Sequence, residues 1–133
     1  TDNCAVKEAV IKSKIEKWRK TALESVKQCE RADIPEVFEI SYIKDIVKNF
    51  DTVIVFAEKY TQMNFFEYVK KHPVDKNGSI LLIIGPEGGF SEREFEFFKS
   101  ENIPLITMGN LIYRADTALC AALNTVISGV LYV

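Results

Sequence analysis

The stretch LLIIGPEGGFSEREFEFF, Leu81 to Phe98, decides how the rest of this 133-residue chain is read. The stretch begins inside SILLIIG (Ser79–Gly85), which reads as a strand apolar on both faces, as an interior strand of a parallel sheet is. Gly85, Pro86, Gly88 and Gly89 end that strand. Ser91 and Glu94 then make an S-x-x-E capping box, which starts a helix running to about Ser100. In open α/β sheets, ligands bind just outside the carboxyl ends of such strands. Glycines 88 and 89 lack a β-carbon, so backbone can approach a bound molecule closely, and Pro86 lowers the entropy cost of ordering the loop. Neither G-x-G-x-x-G nor G-K-[ST] is present, so the phosphate-loop patterns fit badly. On the glycines alone, a plain tight turn and a ligand cradle weigh the same.

Outward from this stretch, strand and helix alternate. DTVIVFAEK (Asp51–Lys59) and IPLITM (Ile103–Met108) read as strands, and Asn64–His72 reads as a helix. Asp75–Gly78 is a turn, and a long helix runs from about Arg114 to the end. Upstream, Ile11, Ile15, Trp18, Ala22, Val26 and Cys29 recur at helical spacing. Pro35 closes a loop, Glu36–Ile40 is expected as a brief strand, and Ser41 is expected to cap a short helix reaching Phe50. The pattern predicts one doubly wound α/β domain with a largely parallel sheet, without repeats or internal linkers.

Composition excludes several classes. The chain is 47% hydrophobic and 27% charged with net charge −2, ordinary for a globular protein and not globally basic. Residues 7–31 are locally basic, with Lys7, Lys12, Lys14, Lys17, Arg19, Lys20, Lys27 and Arg31 against four glutamates. Such a run reads first as a solvated helix face and second as a contact for RNA phosphates. Cys4, Cys29 and Cys120 are odd in number and unpaired in spacing, which predicts a reducing cytoplasm. With His72 the lone histidine and most simply a surface residue, no zinc set is expected. Thr117–Val133 is the most apolar run. Asn124 and Ser128 interrupt it, so it reads as a buried helix and not a membrane span.

MGNLIYRADTALCAAL, Met108–Leu123, is the second loop of interest. It too follows a strand. Gly109 permits close approach, and Arg114, Asp116 and Thr117 cluster at a helix start. Taken alone, Asp116 and Thr117 read as cap residues and Arg114 as a surface charge. Two such loops at neighbouring strand ends favour a binding site.

Read together, IGPEGGFSEREFE and MGNLIYRADTALCAAL closely resemble the C-terminal motifs of the small-subunit ribosomal RNA uridine-N3 methyltransferases, a family of the SPOUT superfamily. The family pattern is roughly I-G-P-E-G-G-F-S-x-x-E, then L-G-x-R-I-L-R-x-E-T-A. KIEKWRKTALESVKQCERADIPEV (Lys14–Val37) resembles the family's R-W-x-x-I-A-x-E-A-x-x-Q-S-x-R-x-x-x-P-E segment, so the likeness runs over nearly the whole chain.

The resemblance implies an α/β fold, a mostly parallel sheet flanked by helices with a C-terminal deep trefoil knot, which topology rules alone would argue against. It implies residues 1–133 as a single SPOUT methyltransferase domain, without the N-terminal PUA-like RNA-binding domain and the start of the catalytic domain. It implies a homodimer, bound S-adenosylmethionine and no metal, with small-subunit ribosomal RNA as the partner. Carried over by position, Ile84, Gly85, Pro86, Glu87, Gly88 and Gly89 form one wall of the cofactor site. Met108, Gly109, Ile112, Tyr113, Arg114, Thr117 and Ala118 form the other. Leu111, Tyr113 and Asp116 stand where the family has Arg, Leu and Glu. Loss of the arginine at 111 removes one phosphate or substrate contact and leaves the backbone-lined pocket intact. Arg114 and Asp116 are the expected catalytic residues: Arg114 orients uracil or a phosphate, and Asp116 or Glu87 assists proton removal. The C-terminal helix, Ala118–Val133, is expected to be buried on most sides and to hold the dimer. Two other readings stay open, a non-catalytic RNA-binding or ribosome-assembly relative and a methyltransferase with another ribosomal or transfer RNA target.

Overall fold

A computed structural model of the protein describes residues 8–30, 32–109 and 114–132, which fall into two compact units, one up to residue 45 and one from residue 46 onward. In the first unit, α1 (Glu8–Cys29) follows the predicted stripe, with Ile15 and Val26 buried. Trp18 and Cys29 of that stripe are exposed. The strand expected over Glu36–Ile40 does not form. The segment is extended, but no ladder partner exists for it among the described residues. Arg19 fixes it instead, its guanidinium donating to the Val37 carbonyl at 3.1 and 3.3 Å and pairing with Glu39 at 3.4 Å. Ser41 does not cap a helix either. Its hydroxyl donates back to the Glu39 carbonyl, and the helix α2 (Ile43–Ile46) begins two residues later and runs into a 3-10 turn at Val47–Asn49.

The second unit is a parallel sheet with the strand order β2-β1-β3. Its strands are β1 (Thr52–Phe56), β2 (Ile80–Ile84) and β3 (Leu105–Ile106). Between and after them lie α3 (Phe65–Lys71), α4 (Glu92–Ser100) and α5 (Ala115–Tyr132). β1 pairs with β2 from Thr52↔Ile80 to Phe56↔Ile84, and with β3 through Val55↔Leu105 and Phe56↔Ile106. Each strand is shorter than its sequence suggested, and Glu58 and Lys59 after β1, Gly85 after β2, and Met108 and Gly109 after β3 line a cavity instead. At the other end, Asp51 locks β1 to β2: its carboxylate accepts from the Ser79 amide at 2.8 Å and from the Ser79 hydroxyl at 2.9 Å.

The Ser91–Glu94 capping box read from sequence forms, and α3 carries a second box that the sequence reading did not single out. Ser91 Oγ accepts from the Glu94 amide while Glu94 Oε2 accepts from the Ser91 amide, and Asn64 with Glu67 does the same for α3. α4 ends with Asn102 left-handed at φ 54°, Ile103 N–H bonding the Phe98 carbonyl and Asn102 N–H that of Lys99. That is the paired bonding of a Schellman stop.

The core of this unit is one cluster: Ile54 and Phe56 of β1, Ile106 of β3, Phe65 of α3, and Ala122, Val126 and Val130 of α5. On the opposite pleat Val55 is also fully buried, so both faces of the central strand are covered, as the apolar run required. α5 packs on α3 and β2 through Ala118, Ala122, Val126, Gly129 and Val130. It is not buried on most sides, however. Leu119, Leu123, Ile127 and Leu131 stand between 45% and 54% exposed. A helix apolar all round has two faces to cover, and the sheet covers only one. By length and composition α5 would also cross a bilayer, but its inner face is core.

Candidate functional site

The chain leaves β1 for β2 on one side, then crosses back to place β3 on the other. The carboxyl ends of all three strands therefore meet at a reversal of strand order, the place where open α/β sheets bind ligands. A cavity of about 360 Å³ lies there, within the size range of small-molecule sites. Phe56–Lys59 line it from β1, Ile84–Phe90 from β2, and Met108 and Gly109 from β3. Phe95 of α4 and Arg114, Ala115 and Ala118 at the start of α5 complete the wall.

Its glycines do different jobs. At Gly85 a β-carbon would sit 3.2 Å from the Phe90 ring, so that glycine admits Phe90, whose ring meets Phe98 and Phe95 edge-on. Gly88, Gly89 and Gly109 are otherwise. A β-carbon at any of them would meet no atom within 4 Å. Gly89 and Gly109 hold φ of +72° and +103°, conformations that side chains resist. The Gly89 amide closes the turn on the Pro86 carbonyl at 2.8 Å, and Thr107 Oγ1 braces Gly109 at both its amide and its carbonyl. The loops are thus shaped by their own hydrogen bonds, and they present bare backbone at the cavity.

The charged groups sit at the mouth. Arg114 is 86% and Asp116 73% exposed at the side chain, with Nε and Oδ1 3.6 Å apart. Asp116 Oδ1 also accepts from the Thr117 amide at 2.9 Å. Tyr60, next to Lys59, donates its hydroxyl to Glu92 Oε1 at 2.8 Å, and that carboxylate holds the phenol above its ordinary range.

Of the residues expected in the site, the structure gathers Ile84, Gly85, Pro86, Glu87, Gly88, Gly89, Met108, Gly109, Arg114 and Ala118 on one cavity. Asp116 and Thr117 stand beside Arg114 and do not line it. Ile112, Tyr113 and Leu111 lie outside the described residues. Sequence reasoning missed Ala57, Glu58 and Lys59, together with Phe56, Phe90, Phe95 and Ala115. The rule applied to the end of β2 would have found the first three if applied to DTVIVFAEK as well. Among the described residues no group of acidic, histidine or cysteine side chains is placed to hold a metal ion.

A family model described as an RNA methyltransferase domain matches residues 1–127. The chain belongs to this RNA methyltransferase family. It is 30% identical over 122 residues to the ribosomal RNA small subunit methyltransferase E of Bacillus subtilis, covering 86% of this chain and 47% of that protein. A Legionella pneumophila protein described as a methyltransferase, solved with its cofactor SAM bound, superposes with a TM-score of 0.79 at 26% identity, over 96% of this chain and 52% of that one. A ribosomal RNA small subunit methyltransferase E from Neisseria gonorrhoeae, solved with S-adenosyl methionine, shares the fold at 18% identity and a TM-score of 0.75, over 97% of this chain and 52% of that one. The chain spans about half the length of these relatives.

Proposed function

We propose that this chain is the cofactor-binding half of a cytoplasmic enzyme that methylates N3 of a uridine in small-subunit ribosomal RNA, using S-adenosylmethionine. One observation carries the reading: three glycines without β-carbons face open space on a single cavity at the strand ends, in a chain of RNA methyltransferase lineage. At about 360 Å³ the cavity is in the range of small-molecule sites. Its apolar floor of Ile84, Met108 and Phe56 suits a flat base, and its backbone walls supply the polar contacts of a bound adenosine and methionine. The family resemblance adds Ile112 and Tyr113 to the proposed cofactor-binding residues, while Thr117 stands beside Arg114 without lining the cavity.

When bound, S-adenosylmethionine would supply an electrophilic methyl group, with S-adenosylhomocysteine as the product. The protein's task is alignment and proton removal, and alignment accounts for much of the rate in such transfers. Uridine N3 lies on the pairing edge, so the target base must be unpaired or turned out of its helix. Arg114, exposed at the mouth, is suited to hold the uracil or its phosphate with its planar fork. Asp116, 3.6 Å from Arg114, and Glu87, which lines the cavity, are the carboxylates proposed to receive the N3 proton. The proposal includes a homodimer and a C-terminal deep trefoil knot.

Calorimetric titration of the chain with S-adenosylmethionine tests the cofactor, and nucleoside mass spectrometry of ribosomal RNA from cells with and without the gene tests the target. Loss of one N3-methyluridine from the small subunit is expected. An unchanged nucleoside profile, with cofactor binding intact, would move the target to another RNA.

A further inference from the structure

Ala57, just past β1, is still bonded to the sheet, its amide donating to the Ile106 carbonyl at 3.0 Å. The chain then leaves the sheet, and Glu58 and Lys59 line the cavity. It is pinned again at Thr61, whose hydroxyl donates to the Leu105 carbonyl at 2.7 Å and accepts from the Met63 amide. Between these anchors stands Tyr60. Its backbone is left-handed at φ 64°, a region that a bulky aromatic residue enters only when its surroundings impose it. Two contacts do so, and both reach α4. The hydroxyl donates to Glu92 Oε1 at 2.8 Å, and the ring meets Phe95 edge-on with centroids 4.9 Å apart. Phe95 itself lines the cavity.

We infer that Tyr60 is a positioning residue for the cofactor site: its bond to Glu92 latches the loop after β1 onto α4, and so fixes Glu58 and Lys59 as the cavity's third wall. This rests on the proposed cofactor role. A wall held before binding spares the ligand the entropy of ordering it, so the latch acts on affinity and not on the chemical step. Glu92 is the first residue of α4, and the Ser91–Glu94 box fixes that end, so the acceptor is itself anchored.

The test uses the full chain with Tyr60→Phe, Glu92→Ala, their combination and Glu92→Gln. Tyr60→Phe keeps the ring on Phe95 and removes only the hydroxyl. Tyr60→Phe and Glu92→Ala are each expected to weaken S-adenosylmethionine binding by about five- to tenfold in calorimetry. The combination should be no worse than either alone, because they break one bond. Glu92→Gln keeps an acceptor oxygen and should stay within about twofold of the parent, a rescue that a merely structural loss would not show. Independently of any cofactor, trypsin should cut after Lys59 several-fold faster in Glu92→Ala, since opening of the loop governs cleavage. Unchanged cutting overturns the latch. Unchanged affinity in Tyr60→Phe, or multiplied losses in the combination, overturns its link to the site. A parent chain that binds no S-adenosylmethionine overturns the cofactor reading itself, while the proteolysis still judges the latch.

Discussion

At residue scale, the five-residue run from Gly85 to Gly89 divides into unlike parts. Gly85 is required by Phe90, whereas Gly88 and Gly89 face open space. Gly88 is the better probe because its φ is not positive, so an added methyl strains nothing. Gly88→Ala is expected to leave the melting temperature within about 2 °C of the parent, a change below about 0.5 kcal/mol, while lowering S-adenosylmethionine affinity by tenfold or more. Thermal melts and calorimetry on one preparation separate the two effects. Asp51 gives a second prediction. Hydrogen bonds from the Ser79 amide and hydroxyl hold its carboxyl below the usual aspartate range. A carboxylate favoured in the folded state contributes stability that is complete above the unfolded value of about 3.9 and is lost as pH falls through the lower folded value. Asp51→Asn removes that titration. Its stability should therefore fall less steeply than the parent's as pH drops below about 4, measured by urea unfolding across that range.

At the scale of elements, the Ser91 cap and the three sheet strands were legible from local pattern. The Ser91–Glu94 box formed as read. Ser91→Ala should cost about 1 kcal/mol in chemical unfolding, an effect confined to the start of α4. What failed was the segment around Glu36–Ile40. Its β-branched and aromatic residues suit a strand, but a strand exists only through a partner's ladder, and the described residues offer none. Ser41 failed as a cap for a related reason. Its hydroxyl had a nearer acceptor in the Glu39 carbonyl, the local competition to which serine is prone. The α5–α3 contact is the clearest case of tertiary demand. A β-carbon at Gly129 would lie 2.5 Å from the Phe65 ring, and that ring is only 1% exposed. Gly129→Ala raises helix propensity, yet it is expected to destabilise by about 1–3 kcal/mol, because Phe65 has nowhere to move. A rise in stability on urea unfolding would show that the ring yields.

At the scale of the molecule, the exposed stripe Leu119, Leu123, Ile127 and Leu131 supports the proposed homodimer. The four recur at four-residue spacing on one helix face, while the face behind them is fixed in the core. Leu123→Glu with Ile127→Glu should yield a monomer at micromolar concentration in sedimentation, with the fold retained, since neither side chain belongs to the buried cluster. A parent chain that sediments as a monomer would remove the dimer from the proposal. The sequence by itself determined the alternation of elements, the Ser91–Glu94 cap and the two glycine loops, because periodicity, capping and backbone freedom act over a few residues. It also carried the family likeness through GPEGGF and its partner loop. Only the tertiary structure decided that the loop after β1 joins those two as a third wall, that Gly85 serves Phe90, and that α5 shows one apolar face to solvent. Those outcomes depend on which strand lies beside which, and on how much surface one sheet can cover. Neither quantity is written in any short stretch of chain.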